Sequence, residues 1–268
     1  MGVLNITADS FSDGGRFLDP GAALDQGRRL IAEGADIVDV GGESSRPGAR
    51  PIDQATELRR VLPVVEALAP EVRVSIDTVK PEVARLAVAA GATLVNDVSA
   101  SLAEVAAELE TGYVVMHRQG TPETMQVAPR YHDVVGEVRA FLAEGAERAE
   151  QLGIDEVWVD PGIGFGKTVA HNLALLAHLD QLVTLGRPVL VGTSRKGFLG
   201  QLVARSDAGR GLGPAVATPG PDPIGAAPVE DRLEASLATA TWAMAQGARM
   251  VRVHDVLPTV QAAKVVAA

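Results

Sequence analysis

Two kinds of side chain stand where short apolar runs end in this sequence, and together they suit a ligand that is anionic at one end and hydrogen-bonding at the other. Arg252 and His254 are two apart in one run, so a strand would point both the same way. With Arg46 and Lys196 they form a cationic set able to give charge-assisted hydrogen bonds to phosphate oxygens, and a pyrophosphate or similar anion is the inference. Asp77 and Asp160 end other runs. A carboxylate accepts two N–H bonds side by side, so either could grip a heterocycle presenting an amino group beside a ring N–H. Pterin and guanine rings share that edge, spacing does not choose between them, and general acid or base work by either aspartate is a competing reading.

Polar run ends recur along the chain: Asn5, Asp39 and Glu43, Asp77, Asn96 and Asp97, His117, Asp160, Ser194-Arg195-Lys196, and Arg252 with His254-Asp255. Any one of them could be a hydrogen-bonded structural group, but the full set calls for a scaffold that gathers strand ends. Val/Ile/Leu-rich runs at 3–6, 36–42, 74–78, 93–98, 113–117, 157–162, 188–194 and 250–255 read as eight strands. Helical spacing fills the intervals, with helices expected at 22–32, 53–69, 83–89, 101–109, 131–152, 171–183 and 231–246. Asp19-Pro20, Pro81 and Pro258 mark helix starts, and Ser101 with Glu104 fits a capping box. Strict alternation predicts an α/β fold, a (β/α)8 TIM barrel forming one domain over residues 1–268. An open doubly wound sheet is the alternative, and the strand count decides against it. Residues 205–229, with prolines at 214, 219, 221, 223 and 228, should form a long irregular loop.

Composition narrows the chemistry further. The chain has 268 residues, 47% hydrophobic but only 3% aromatic, so its core must be aliphatic, as in parallel strands buried on both faces. Its 24 basic and 34 acidic residues give a net charge of −10, which argues against nucleic acid as a partner. The absence of cysteine excludes disulfides, thiolate metal sites and cysteine nucleophiles. Residues 1–6 lack the features of a secretory signal and no apolar run approaches about 18 residues, so a cytoplasmic enzyme without a membrane partner is expected. The glycine-rich stretch 160–167 lacks the spacing of a Walker A loop, and the pairs Gly14-Gly15 and Gly41-Gly42 suit active-site loops better than a dinucleotide fingerprint.

Several of these segments, in order, resemble the dihydropteroate synthase family: Leu4-Asn5-Ile6-Thr7 running on to Gly14-Gly15, Asp39-Val40-Gly41-Gly42-Glu43-Ser44-Ser45-Arg46-Pro47-Gly48, Ser75-Ile76-Asp77-Thr78, Asn96-Asp97-Val98-Ser99, Met116-His117, 160–167, Thr193-Ser194-Arg195-Lys196 and Arg252-Val253-His254-Asp255. The resemblance implies an enzyme of folate biosynthesis that condenses 6-hydroxymethyl-7,8-dihydropterin pyrophosphate with 4-aminobenzoate. It puts the pterin against Asp77, Asn96, Met116, Asp160, Phe165 and Lys196, and pyrophosphate on Asn5, Ser45, Arg46, Arg252 and His254. It implies 4-aminobenzoate contacts at Phe11, Pro47, Phe165, Lys196 and Gly197, where sulfonamide drugs would compete. Catalytic roles fall on Asp77, Lys196 and Arg46, and a Mg2+ cofactor would bind Asn5 together with the pyrophosphate. Similar enzymes are homodimers. The implied mechanism is dissociative, with loops 7–17 and 41–50 closing over the site. The chain departs from the family at Ala8, where proline is common, at Ser45, which replaces threonine, and at Gly197, where serine is frequent.

Two other readings compete. A pterin-binding methyltransferase barrel of the methionine-synthase type would share the fold and the ring-binding Asp and Asn, but not the 194–196 stretch or the Phe11 and Arg46 loops. A non-catalytic paralogue would be expected to lose the cationic cluster or the loops, and both are present in the sequence.

Overall fold

The structure, a computed structural model, describes residues 1–7, 20–209 and 226–268. In chain order the elements are β1 (Gly2–Asn5), α1 (Pro20–Ala32), β2 (Ile37–Gly41), α2 (Gln54–Leu68), β3 (Arg73–Asp77), α3 (Pro81–Ala89), β4 (Leu94–Asp97), α4 (Ala103–Glu108), β5 (Gly112–Met116), α5 (Val134–Gln151), β6 (Val157–Asp160), α6 (Val169–Ala177), α7 (Leu179–Val183), β7 (Leu190–Val191), α8 (Gly197–Gly209), a 3-10 turn (Val229–Arg232), α9 (Leu233–Ala245), β8 (Met250–Val251) and α10 (Val256–Val266). Strands β1 to β6 pair in sequence, all parallel, and β7 pairs with β8. Parallel bridges Val159↔Val189 and Gly2↔Val253 join the two sheets. The hydrogen bonds Val159 N to Pro188 O (3.1 Å) and Val3 N to Val253 O (2.9 Å) complete the ring, so the expected barrel is closed.

Strand parity sorts the side chains into two compartments. Outward-facing Val38, Val40, Val74, Ile76, Val95, Val115, Val157 and Val159 pack with apolar residues of the helices in one large core. Inward-facing Ile37, Leu94, Val114 and Leu190, with Met1, Trp158 and Met250, make a second, smaller apolar plug. On the same parity but nearer the C-terminal strand ends come Asn5, Asp39, Asp77, Asn96, Met116, Asp160, Arg252 and His254. The alternation that buries the plug therefore aims the polar residues at one mouth.

Local chemistry explains most helix ends and corrects several expectations. Asp53 caps α2 by accepting Thr56 N (2.8 Å), and Asp133 caps α5 by accepting Gly136 N (3.1 Å), so that helix starts later than expected. The capping box at Ser101 and Glu104 does not form. The buried carboxylate of Asp97 takes Ser101 N (2.6 Å) and Leu102 N (2.8 Å) instead, and Glu104 pairs with Arg148. A capping box does form at Thr168 and His171, where histidine replaces the usual acid. The expected helix over 171–183 is two helices, broken at His178 (φ −118°, ψ 32°). Strands β7 and β8 are only two residues long, because past Val191 the ladder gives way to Ser194 Oγ accepting His254 N (3.1 Å). The expected loop over 205–229 begins late, since α8 runs on to Gly209, and residues 210–225 lie outside the described residues. Asp19 lies outside them too.

Candidate active site

A cavity of about 1040 Å³ opens at the C-terminal ends of the strands, lined among others by Asn5, Ser45, Arg46, Pro47, Phe165 and Lys196. Gly197, Arg252 and His254 also face it. A smaller cavity of about 450 Å³ adjoins it through Ser44 and Ser45 and reaches Asp77. Asn96, Met116 and Asp160 are buried on the barrel interior. Space exists at the mouth because two inward positions are glycines: a Cβ on Gly41 would sit 3.5 Å from both Asn5 Oδ1 and Asp77 Cβ, and one on Gly192 would sit 3.8 Å from Lys196 Nζ.

At the floor, Arg252 spans two carboxylates. Its Nε donates to Asp39 Oδ2 (2.6 Å) and its Nη2 to Asp77 Oδ2 (2.8 Å). Asn96 Nδ2 also donates to Asp39 Oδ2 (3.0 Å). Burial works against the charge of Arg252, but Asp39 and Asp77 outweigh it, and the guanidinium stays charged. Burial, with help from Asp39, Glu57 and Asp97, pushes the Asp77 carboxyl up to about 7, against the pull of Arg252. Arg252, expected to hold an anion, is already paired in the structure with both Asp39 and Asp77.

Asp160 and Lys196 form the second half. Asp160 Oδ1 accepts Gly162 N (2.7 Å), and burial raises its carboxyl against the opposing charges of Lys196, Arg252 and Lys167. Lys196 donates to Ile163 O and lies 4.7 Å from the centre of the Phe165 ring, a cation–π distance. Burial pulls its ammonium down to about 8, with Asp160 holding it up. The loop between β6 and α6 is built round Lys167, whose buried Nζ donates to the carbonyls of Gly162 (3.0 Å), Phe165 (3.1 Å) and His117 (3.3 Å) and meets His117 Nδ1 at 2.9 Å. Lys167 is thus a structural centre of the glycine-rich stretch, and burial draws it down to about 7.

Gly162 takes φ +63°, and a Cβ there would stand 1.9 Å from His117 O. Gly162→Ala is therefore expected to lower unfolding stability by about 2–5 kcal/mol, combining left-handed strain with a backbone clash. A urea midpoint within error of the parent chain would show that the loop adapts and that its geometry is not set by this glycine.

The turn after β7 is held just as firmly. Arg195 has φ +59°, unusual for a residue with a side chain. It is pinned by an ion pair with Asp255 (2.6 Å), by Arg195 N donating to Ser236 Oγ (2.9 Å) and by Arg232 donating to its carbonyl (3.1 Å). That turn sets Ser194 and Lys196 toward the mouth and lets α8 begin at Gly197. Ser194 Oγ lies 3.1 Å from His254 Nδ1 and can donate to it, leaving Nε2–H as the remaining donor of a neutral ring. Burial, then the charges of Arg195, Arg252, Arg46 and Lys196, hold His254 well below its usual range. The loop carrying Ser45, Arg46 and Pro47 is anchored at its base, where Lys80 bridges Glu43 (2.7 Å) and buried Glu57 (2.5 Å) and Glu43 accepts Ile52 N (2.8 Å).

Not every polar strand end reaches the mouth. Asp97 and His117 have the outward parity: Asp97 accepts Tyr113 Oη (3.0 Å) and the turn N–H groups after β4, and His117 packs against Phe141 and Lys167. Glu43 and Asp255 are spent on ion pairs. Phe11, and with it most of the loop expected to close over the site, lies outside the described residues. Asp39 and Arg195 stand among the polar strand ends, and Lys167 closes the glycine-rich stretch 160–167, but none of the three shows in the sequence which partner it takes.

No group of three or more His, Asp or Glu side chains placed to hold a metal ion occurs among the described residues. Asn5 offers the mouth one carboxamide oxygen, and its side chain makes no hydrogen bond to a described residue. That suits a hard divalent cation which keeps several waters and takes its other ligands from a bound diphosphate. No helix among the described residues is long and apolar enough to cross a membrane.

Residues 1–254 match the family model described as pterin binding enzyme. The chain is 47% identical to dihydropteroate synthase of Mycobacterium leprae, over 100% of this chain and 92% of that one, and 46% identical to the Escherichia coli enzyme, over 100% and 90%. Among solved structures, it resembles a Yersinia pestis dihydropteroate synthase in complex with a sulfonamide drug, with a TM-score of 0.88, 40% identity and coverage of 100% and 92%. It also resembles a Xanthomonas albilineans dihydropteroate synthase in complex with 7,8-dihydropteroate, with a TM-score of 0.81, 42% identity and coverage of 99% and 90%.

Proposed function

Since this chain belongs to the pterin-binding enzymes and among them to the dihydropteroate synthases, we propose that the residues gathered at its barrel mouth divide the reaction into a ring half and a diphosphate half. The enzyme is a transferase that condenses 6-hydroxymethyl-7,8-dihydropterin pyrophosphate with 4-aminobenzoate, giving 7,8-dihydropteroate and pyrophosphate. The observation that carries the residue assignment is the meeting of Arg46, Lys196, Arg252, His254 and buried Asp77 around connected cavities on an acidic chain, with Asp160 buried close to Lys196 on the same barrel interior.

In this reading Asp77, Asn96 and Asp160 grip the donor edge of the pterin, with Met116 and Phe165 against its faces and Lys196 at its acceptor side. Asn5, Ser45, Arg46, Arg252 and His254 hold the diphosphate. The C–O bond of the pterin methylene breaks, its electron pair leaves with the diphosphate, and the resulting cation is delocalised into the ring. The neutral amine of 4-aminobenzoate, seated by Phe11, Pro47, Phe165, Lys196 and Gly197, then forms the C–N bond and loses a proton to solvent or diphosphate. Asp77, Lys196 and Arg46 are the catalytic side chains: Arg46 stabilises the leaving charge, while Asp77 and Lys196 orient and polarise the ring. Mg2+ held by Asn5 and the diphosphate would neutralise further leaving-group charge. A cytoplasmic location and a homodimer accompany the reading.

His254 gives this assignment a thermodynamic signature. The ligand-free ring is neutral because burial and neighbouring cations depress its pKa. A bound diphosphate opposes those cations and raises it, so the affinity is highest at low pH and falls as pH rises through the raised value. Calorimetry of inorganic pyrophosphate with Mg2+ at pH 7, in two buffers of different ionisation enthalpy, should show more proton uptake by the parent chain than by His254→Gln. Equal uptake would remove His254 from the diphosphate half.

The overall reading is tested by supplying both substrates and Mg2+. Release of pyrophosphate that depends on 4-aminobenzoate is expected. Its absence, or methyl transfer from methyltetrahydrofolate, would overturn the reading.

A further inference from the structure

We propose that Asp39 is a positioning residue that couples the ring half of the site to the diphosphate half, by holding Arg252 and Asn96 on the same carboxylate oxygen. The inference rests on the synthase reading above. Asp39 is fully buried on the interior of β2, and its bonded oxygen is taken up by two other residues of the site, so it acts through its neighbours. Its Oδ2 accepts Arg252 Nε at 2.6 Å and Asn96 Nδ2 at 3.0 Å, while Oδ1 is buried with no hydrogen-bond partner. Two donors from opposite halves of the site therefore share one acceptor atom, although the other oxygen of that carboxylate is open.

Two consequences follow from the donor inventory. Because Asn96 spends its Nδ2 on Asp39, its carbonyl oxygen is the end left to accept an N–H from a ring. Because Arg252 spends Nε on Asp39 and one Nη2 proton on Asp77, Nη1 and the second Nη2 proton are left for an anion, and drawing the whole guanidinium upward costs both floor contacts. A diphosphate favours that upward release. A ring that takes up Asp77 removes one of the same floor contacts and favours it too. Release of Arg252 in turn leaves Asp39 Oδ2 to Asn96 alone, which firms the carbonyl presented to the ring. Each ligand thus prepares the site for the other, through a carboxylate that neither touches.

Coupling of this kind is reciprocal and is read as a ratio of affinities. In this chain, 6-hydroxymethylpterin should tighten the binding of inorganic pyrophosphate with Mg2+ at least about fivefold, and pyrophosphate should tighten the pterin by the same factor. In Asp39→Asn, nearly isosteric but uncharged, the factor should fall below about twofold and turnover should drop by about tenfold or more. In an Arg252→Met background the same Asp39→Asn change should alter pyrophosphate affinity by less than about twofold, since its route to the anion is gone. Circular dichroism checks folding. If Asp39→Asn does not fold, Asn96→Ala carries the test: with its competitor gone, Asp39 should hold Arg252 harder and weaken pyrophosphate alone by about threefold. A coupling factor unchanged in Asp39→Asn, or pyrophosphate affinity unchanged in Asn96→Ala, overturns the proposal. A parent chain that makes dihydropteroate while either of those results is found would sink the role of Asp39 and leave the synthase reading standing; a parent chain without turnover would sink the reading itself.

Discussion

Asp160→Ala is expected to weaken the binding of 6-hydroxymethylpterin at least about a hundredfold, because it strips two charge-assisted hydrogen bonds worth roughly 1.5–3 kcal/mol each. The size of the effect follows from where the carboxylate sits. It is buried at the end of β6, its Oδ1 accepts Gly162 N at 2.7 Å, and the opposite oxygen makes no hydrogen bond to a described residue. Burial raises its pKa, so the ligand that binds the ionised form is favoured at higher pH and lost as pH falls through that raised value. Alanine also removes the acceptor of Gly162 N and so disturbs the loop that carries Phe165. Asp160→Asn separates the two effects: its carbonyl can still take Gly162 N, but its amide protons face ring donors. Loss in both variants assigns the effect to the ring contact. Loss in alanine alone assigns it to the loop, and a change under threefold in alanine would mean that the pterin binds elsewhere.

How far the sequence already contained this site depends on the kind of information each residue carries. Strand parity is local, so the shared direction of Arg252 and His254, and the inward aim of Asp77, Asn96 and Asp160, could be read from alternation once eight strands were counted. The same rule, applied more strictly, would have turned Asp97 and His117 outward, since each is one residue past an inward neighbour. Partner choice is not local. Arg252 and Asp39 are 213 positions apart, and nothing in either run says that the guanidinium lies across the floor instead of waiting in the cavity. The capping box failed for a similar reason: Ser101 and Glu104 have the right spacing, but Asp97 brings a buried carboxylate to the same N–H groups, and a charged acceptor prevails over a hydroxyl. The β6–α6 loop lies between these cases. Its glycines were legible as a turn, but the need for glycine at 162 and 166 comes from the close approach of the 117–119 backbone, and at 164 from a positive φ with the Lys196 side chain packed against it.

Arg252→Ala should cost more for the pyrophosphate-bearing substrate than for free pterin, and the two losses should respond differently to pH. For the pyrophosphate ester, removal of a guanidinium that gives two charge-assisted bonds is expected to lower kcat/KM by at least about two hundredfold. That loss should persist at every pH, because nothing else in the floor supplies the charge. Free pterin is affected indirectly. Arg252 opposes the burial that has already lifted Asp77 to about 7, so without it Asp77 rises further and is neutral at pH 7. A neutral carboxyl accepts ring N–H bonds poorly, and pterin affinity should fall at pH 7 but return toward the parent value at higher pH, as Asp77 ionises. Protonation also limits the structural damage, since breaking a buried ion pair typically costs about 3–5 kcal/mol when the remaining charge cannot be neutralised. The discriminating measurement is therefore a pair of pH profiles on the folded variant, one for turnover of the ester and one for binding of the free ring. Parallel profiles with equal losses would mean that Arg252 serves only the ring pocket, and the division of this mouth into a ring half and a diphosphate half would have to be redrawn.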